Sequence, residues 1–462
     1  MTAAAFAPRR RSRLSGYALP LCLAVSAAAS AGPSVFPTGV TRYDPAKAYN
    51  CDVLFSAANN RTYLIDMDGK VLHQWDREGM PAQMLDPALT GGVKGEIGVQ
   101  LKLIPAGSHA GGIGLVPGQA VFADLTFGYV NWAGKAVWQW GKQAPGGAAL
   151  QHHDWEMLAN GDTLLLSDRV RQLQAFHGRW MLDPVIYEVN TAGRIVWRWA
   201  ASQHLAGLGF TPARMKVMNR EASADYLHMN AAHVLGPNHW AASGDRRFAP
   251  GNILISSRHA NFLAIISRRT GRIVWRLGPD FPQPAHPYTR LLDVHKVPYP
   301  VDRLSGQHDA HMIPEGLPGA GDILVFDNEG EGGYPPAVMS VLPSSRVLEI
   351  NPVTREVVWQ YTGSTTSFYS PFISSVQRLP NGNTLIDEGV WGRFIQVTPR
   401  GKIVWEYISP FTGPMPLSNG RVRWVYRIQA IPYDWLPKGV PHTEIPVYAP
   451  RLATFHMPLG RR

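Results

Sequence analysis

Cysteine is nearly absent: the 462 residues contain two, Cys22 and Cys51. Cys22 lies in an apolar, leader-like start, so a processed chain keeps Cys51 alone. One thiol can form neither an internal disulfide nor a cysteine-rich metal site. Charge is also sparse, 17% of residues against 45% hydrophobic, which excludes a disordered, collagen-like or coiled-coil chain and requires a folded core. No acid occurs before residue 32, where Arg9, Arg10, Arg11 and Arg13 sit; without those four the formal charge of +10 becomes +6. The remaining Lys and Arg are scattered, so no nucleic-acid partner is expected. A basic site for a small anion stays open. Long apolar runs are missing as well: Leu14 to Ala29 is broken by Ser15, Gly16, Pro20 and Ser26, too short a run for an ordinary membrane span.

That start reads as an export address. A basic, acid-free stretch is followed by apolar and small residues and by Ala29-Ser30-Ala31, an A-x-A cleavage signal. Residues 1–31 are expected to be a signal peptide, giving a periplasmic or secreted protein without stable membrane insertion after cleavage. The alternative is a chain anchored by an uncleaved N-terminal segment. Arg10-Arg11 leaves Sec and twin-arginine export both open. Residues 32–50 form a lead-in, and 436–462 a C-terminal tail.

Residues 51–435 are organised by repetition. Gly69-Lys70-Val71-Leu72-His73-Gln74-Trp75 returns as Gly134-Lys135-Ala136-Val137-Trp138-Gln139-Trp140, Gly193-Arg194-Ile195-Val196-Trp197-Arg198-Trp199 and Gly271-Arg272-Ile273-Val274-Trp275-Arg276-Leu277. Two further copies start at Arg355 and Gly401. Each reads as a tight turn feeding a β-strand. A second phrase, His153 to Leu158 before Asn160-Gly161 and Ser374 to Leu379 before Asn381-Gly382, reads as an inner strand turning into a second strand. His228 to Leu235 and His308 to Ile313 fit the same place. Six copies imply an all-β, six-bladed β-propeller. The stretch Arg423 to Ile431 is one more inner strand without a blade behind it, and pairing with Val53 to Trp75 would close the ring. Insertions are expected at 201–224, 236–250 and 278–307. The repeated Trp138, Trp197, Trp275, Trp359 and Trp405 are read as packing between blades.

Inner strands line a propeller's channel. Stepping back five positions from their closing residues, Leu158, Leu235, Ile313, Leu379 and Ile431, gives His153, Asn230, His308, Ser374 and Tyr426. Side-chain alternation gives these one orientation, shared by His228, two residues before Asn230. It favours His153 over His152 and turns Asp154 and Asp309 away, between blades. The expected ring has imidazoles and amides but no carboxylate from these strands, and Arg258 at the end of a second strand could clasp oxyanions.

The motifs Gln151-His152-His153-Asp154, Leu227-His228-Met229-Asn230 with Ser256-Ser257-Arg258-His259, and Gly306-Gln307-His308-Asp309 with Phe326-Asp327-Asn328 resemble those of bacterial arylsulfate sulfotransferases. The resemblance implies a periplasmic propeller that moves a sulfuryl group from an aryl sulfate donor to a phenolic acceptor through a sulfohistidine, with no cofactor. By motif position it implies His308 as nucleophile, with His153, His228, Asn230 and Arg258 around the sulfate. Ser374 and Tyr426 are the further substrate-binding candidates, and the segment Ser367 to Phe372 reads either as the lining of an aryl pocket or as a rigid surface loop. The chain departs from better-known members in having no room before residue 50 for their extra β domain and no cysteine pair, which leaves a homo-oligomer and acceptor choice open. Three other classes survive: a metal-dependent lyase or oxidase with His153, His228 and His308 as ligands, a quinoprotein dehydrogenase, and a binding propeller without turnover.

Overall fold

A computed structural model describes residues 37–104, 123–281, 296–336, 344–363, 367–414 and 420–448. The expected leader lies outside these residues. Residues 35–462 form one compact unit, and its six antiparallel sheets of four or five strands are the blades of a β-propeller, beside a two-stranded pair of Gly413–Pro414 with Arg421–Val422. Blade 1 takes its inner strand from the far end of the chain: Val425–Ile431 pairs with Asp52–Ala57, which continues to Arg61–Ile65 and Val71–Trp75. The ring is therefore closed by hydrogen bonds between the two ends of the repeat, with Val53 opposite Ala430 and Phe55 opposite Ile428.

The other inner strands are Gln83–Met84, Gln151–Met157, Met229–Val234, His308–Met312 and Ser375–Arg378, for blades 2 to 6. An inner strand is a sheet edge, and its free N–H groups need acceptors. The preceding blade supplies them from side chains. Asp154 accepts from Ala232 N at 2.8 Å and Glu156 from Val234 N at 2.9 Å. Asp309 accepts from Val376 N at 2.8 Å, Gln377 from Ala430 N at 2.9 Å, and Gln429 from Met84 N at 2.7 Å. Asp154 and Asp309 were expected between blades; they do bridge to the next inner strand, but Arg427 of blade 1, which adjoins neither blade 3 nor blade 5, reaches both, so the two carboxylates face the channel axis.

The repeated turns have one backbone geometry. Gly69, Gly134, Gly193, Gly271 and Gly401 have φ between 70° and 80°, and Arg355 adopts φ 62° where the blade 5 copy has no glycine. The aromatic residue four positions after the turn glycine in blade 2, Trp138, donates Nε1–H to Thr191 O in the next blade's turn at 3.0 Å. Trp197 does the same to Arg268 O, Trp275 to Pro352 O, Trp359 to Pro399 O and Trp405 to Met67 O. In blade 1 His73 takes this place, its Nε2 lying 2.8 Å from Trp132 O. Each blade is therefore pinned to the next, and Trp405 pins blade 6 to blade 1. Packing of Phe55 against Phe394, at 4.9 Å between centroids, joins the same two blades through their core.

Two segments outside the repeats add strands. Within the lead-in, Gly39–Tyr43 adds to Ile403–Ile408 as a fifth strand of blade 6. Tyr299–Pro300, inside the expected 278–307 insertion, likewise extends blade 5 beside Glu356–Tyr361. Both cover outer edges that would otherwise expose unpaired backbone. The insertion at 201–224 carries the helix Pro212–Glu221, and that at 236–250 the short helix His239–Ala242.

Trp405 is fully buried and the half-buried Trp359 makes the equivalent bond near solvent. Trp405→Phe leaves the Met67 carbonyl without a partner in the core and should cost about 1–3 kcal/mol, whereas Trp359→Phe should cost about 1 kcal/mol or less. Urea unfolding midpoints of the two variants check this; equal losses would contradict closure by the buried bond.

Candidate active site

One mouth of the channel opens into a cavity of about 550 Å³. Its polar wall holds His153, His228, His308, Arg258, Tyr426 and Glu78, and its apolar wall includes Met80, Leu103, Ile104, Phe372, Ile373 and Trp424. Three histidines from blades 3, 4 and 5, separated by scores of residues in sequence, therefore meet in one chamber. The His153 and His228 rings are 4.6 Å apart, and Tyr426 stands 5.3 Å from His153 and 6.4 Å from His308.

The inner strands deliver these side chains through bulges. Pairing breaks between Leu165 and Ser167 opposite residues 152–154, between Met229 and Ala231, and between His308 and His311. His153, His228 and Asp309 have φ of 60°, 45° and 54°, in the left-handed region where side chains are strained and which recurs at functional sites.

His308 is held in a defined tautomer. Asn328 donates its Nδ2 hydrogens to Ser370 O at 2.7 Å and Ile373 O at 2.8 Å, and carbonyls only accept, so its Oδ1 must face His308 Nδ1 at 2.8 Å. Nδ1 therefore carries the proton. Nε2 presents a lone pair, toward which Ile373 N–H points at 3.3 Å. Burial, then the Arg258 charge, holds the His308 imidazole well below its ordinary pKa and keeps it neutral, although Asn328 opposes this.

Arg258 supplies the positive charge. Among the described residues no carboxylate pairs with its guanidinium, and Nε is buried without a partner. Burial lowers its pKa somewhat, but a guanidinium remains cationic. A half-buried guanidinium on a cavity wall, with no carboxylate partner among the described residues, suits an anion. His228 is bonded through Nδ1 to Asp225, whose other oxygen accepts His228 N–H at 3.0 Å. Although burial alone would raise it, His228 pulls the Asp225 carboxyl far below the usual range. His259 lies behind His228, ring centroids 4.7 Å apart, with Nδ1 2.7 Å from Asp225 O; burial lowers its pKa to about 4.

Of the residues read from sequence, His153, His228, His308, Arg258 and Tyr426 meet on the wall. Asn230 and Ser374 do not line it. Asn230 is the extra residue of the blade 4 bulge, and its Nδ2 is spent on Gln307 O at 2.7 Å, bracing the backbone before His308. Ser374 has φ 90° and bonds Ser370 Oγ at 2.8 Å while accepting from Gly389 N at 3.0 Å, fixing the loop that carries Phe372. Alternation assumed regular strands at both positions, and both depart from them. Phe372 does reach the cavity, edge-on to Trp424 at 5.1 Å.

Sequence reasoning missed Glu78, whose carboxyl burial pushes up; it comes from the segment joining blades 1 and 2 and carries no repeat signal. It also missed Arg427. This side chain sits one position beyond Tyr426, in register with Asp154 and Asp309, and lies 2.7 Å from Asp154 and 3.1 Å from Asp309 below the cavity. Groups that could hold a metal ion, with ligand atoms within 4.8 Å of one another, are Asp225 with His228 and His259, and His233 with Asp309 and His311. Neither is the ring of His153, His228 and His308, and in the first group both histidine Nδ1 atoms are already bonded to Asp225.

A family model described as Arylsulfotransferase (ASST) matches residues 124–410. No curated protein matches the chain. Among solved structures the chain is similar to a protein of unknown function from Bacteroides caccae, at 12% identity and a TM-score of 0.44 over 82% of this chain and 98% of that one. It is also similar to virginiamycin B lyase from Staphylococcus aureus, at 11% identity and a TM-score of 0.36 over 84% and 94%.

Nitrogen-15 NMR of histidine-labelled protein tests the arrangement around His308. Its ring should remain neutral, with the proton on Nδ1, as pH falls from about 7.5 to about 5.5, the range in which an ordinary histidine titrates. Asn328→Leu should bring in the other tautomer. Titration of His308 near the ordinary histidine value in the parent protein would contradict the assignment.

Proposed function

Because the chain belongs to the arylsulfotransferase family, we propose that it transfers a sulfuryl group from an aryl sulfate ester to a phenol, with His308 as the covalent carrier. The observation that carries this reading is the neutral, Nδ1-protonated His308 facing a cavity that also holds an unpaired guanidinium. A sulfate monoester is anionic, and Arg258 attracts it. The aryl ring has a matching surface in Phe372, Trp424 and Ile104.

In the first half-reaction the Nε2 lone pair of His308 forms a bond to sulfur while the sulfur–aryl oxygen bond breaks. The leaving electron pair goes to the aryl oxygen, which takes a proton from the wall. Arg258 and His228 hold the non-bridging oxygens and offset the charge that shifts as the bond lengthens. Asn328 stabilises the imidazolium that forms, because its Oδ1 accepts the Nδ1 hydrogen throughout. In the second half-reaction a phenol enters the vacated aryl pocket, loses its proton and takes the sulfuryl group from His308. One pocket serving donor and acceptor in turn gives ping-pong kinetics. Every step runs on side chains of this chain. The basic, acid-free start supports export, with the reaction taking place in the periplasm or outside the cell.

Incubation with a chromogenic aryl sulfate and a phenol should give phenol-dependent colour release. Mass spectrometry of the His308 peptide without acceptor should find a labile gain of about 80 Da, the mass of a sulfuryl group. His308→Asn should abolish both with the fold intact by circular dichroism, and Arg258→Met should lower kcat about 10²- to 10³-fold, the usual cost of one charge-stabilising donor. Full turnover by His308→Asn would overturn the reading.

A further inference from the structure

Behind His153, on the side away from the cavity, stands a pair of groups to which the transfer scheme gives no task. His152 is 4% exposed, its Nδ1 lies 2.6 Å from His153 Nδ1, and its Nε2 lies 3.1 Å from Asp168 Oδ2. Asp168 belongs to Thr163–Leu173, the second strand of blade 3. Successive residues of a regular strand point to opposite faces; here the bulge and the φ of 60° at His153 bring the two Nδ1 atoms together, with the rings at 82°.

Two ring nitrogens at that distance share one proton. The Asp168 carboxylate lies 3.1 Å from Nε2 of His152, off the line of a good hydrogen bond, and its charge favours a hydrogen on that nitrogen, which leaves two arrangements. In one, His152 is a cation donating Nδ1–H to His153, and His153 carries its own hydrogen on Nε2. In the other, His152 is neutral and accepts from His153 Nδ1–H, and His153 Nε2 is bare. The arrangements differ by one proton, and it enters or leaves at Nε2, the His153 nitrogen turned away from His152 toward the cavity.

We infer that Asp168 and His152 are positioning residues that supply His153 with the proton it gives to the aryl oxygen in one half-reaction and recovers from the acceptor phenol in the other. The inference rests on the sulfuryl-transfer reading. As the sulfur–oxygen bond breaks, the proton on His153 Nε2 passes to the departing oxygen and the Nδ1 hydrogen of His152 moves to His153. The phenol leaves neutral, His152 loses its charge, and the imidazolium of sulfonated His308 carries the positive charge instead. The acceptor reverses each movement. The surroundings favour the charged start: burial alone would lower the His152 pKa, but Asp168 raises it, whereas burial and then His228 hold His153 well below its ordinary value. Asp225 contacts His228 directly and has no such second imidazole between, which suits His228 to holding a sulfuryl oxygen.

The test is a series of aryl sulfates from nitrophenyl, a good leaving group, to alkylphenyl, a poor one. Loss of a proton donor hurts poor leaving groups most. In Asp168→Asn and His152→Gln, turnover should fall about tenfold for nitrophenyl sulfate and about 10³-fold for alkylphenyl sulfate, within the usual range for acid catalysis. Asp225→Asn should slow the whole series by a similar factor. The slope is a ratio within one preparation, so partial unfolding does not alter it. A low-field proton resonance from the shared hydrogen should be present in the parent protein and lost in both variants, with or without turnover. A parallel loss across the series, or the absence of that resonance from the parent protein, would overturn the inference. If the parent protein turns over no aryl sulfate while the resonance is present, the transfer reading fails and the relay falls with it.

Discussion

Asn328 can donate to two carbonyls and accept from one imidazole, and its neighbours leave it no other arrangement. Ser370 O and Ile373 O take its hydrogens, so its oxygen takes the Nδ1 hydrogen of His308. The lone pair of His308 is thereby placed on Nε2, at the cavity wall, where Ile373 N–H approaches it at 3.3 Å. Arg258 in the same cavity discourages protonation of that lone pair and attracts the anion it would attack. A nucleophile and its electrophile's counter-charge are thus set by one amide orientation and one unpaired guanidinium. The loop that anchors Asn328 is itself tied by Ser345, which accepts from Ser370 N at 2.9 Å, and by Ser374.

The toroid makes this convergence affordable in backbone terms. Inner strands end at the channel mouth, so residues far apart in the chain meet there once the ring is closed. Closure depends on the strand Val425–Ile431 entering blade 1 and on the buried Trp405 bond to Met67. Side-chain acceptors on the inner strands of blades 1, 3, 5 and 6 satisfy free N–H groups of the next inner strand, which helps keep the channel wall intact where the strands bulge. Below the histidines, Arg427 between Asp154 and Asp309 fills the axis with a compensated charge cluster.

Much of the fold was legible because hairpin turns and staple aromatics repeat. The glycine turns required positive φ, and the Trp positions mapped onto bonds between blades. Even the closing strand at Arg423 to Ile431 was readable as an inner strand in search of a sheet. Blade 2 was less so, because its inner strand is two residues long. At the site, His153, His228, His308, Arg258 and Tyr426 came together as strand register implied. Asn230 and Ser374 did not, since a bulge and a positive φ break the period of two on which that register rests. Asp225, Glu78 and Asp168 contribute from connecting segments or a second strand and share no phrase with the repeats. Arg427 was within reach of the same alignment that placed Asp154 and Asp309, one position on from Tyr426.

Covalent carriage by His308 is the central claim, and the configuration at sulfur reports on it most directly. An aryl sulfate made chiral with three oxygen isotopes should yield a product ester of retained configuration, because two displacements, each inverting, pass through the imidazole. Inversion would mean that the phenol attacks the donor in a single step, with the histidines only holding the sulfate, and would contradict the account.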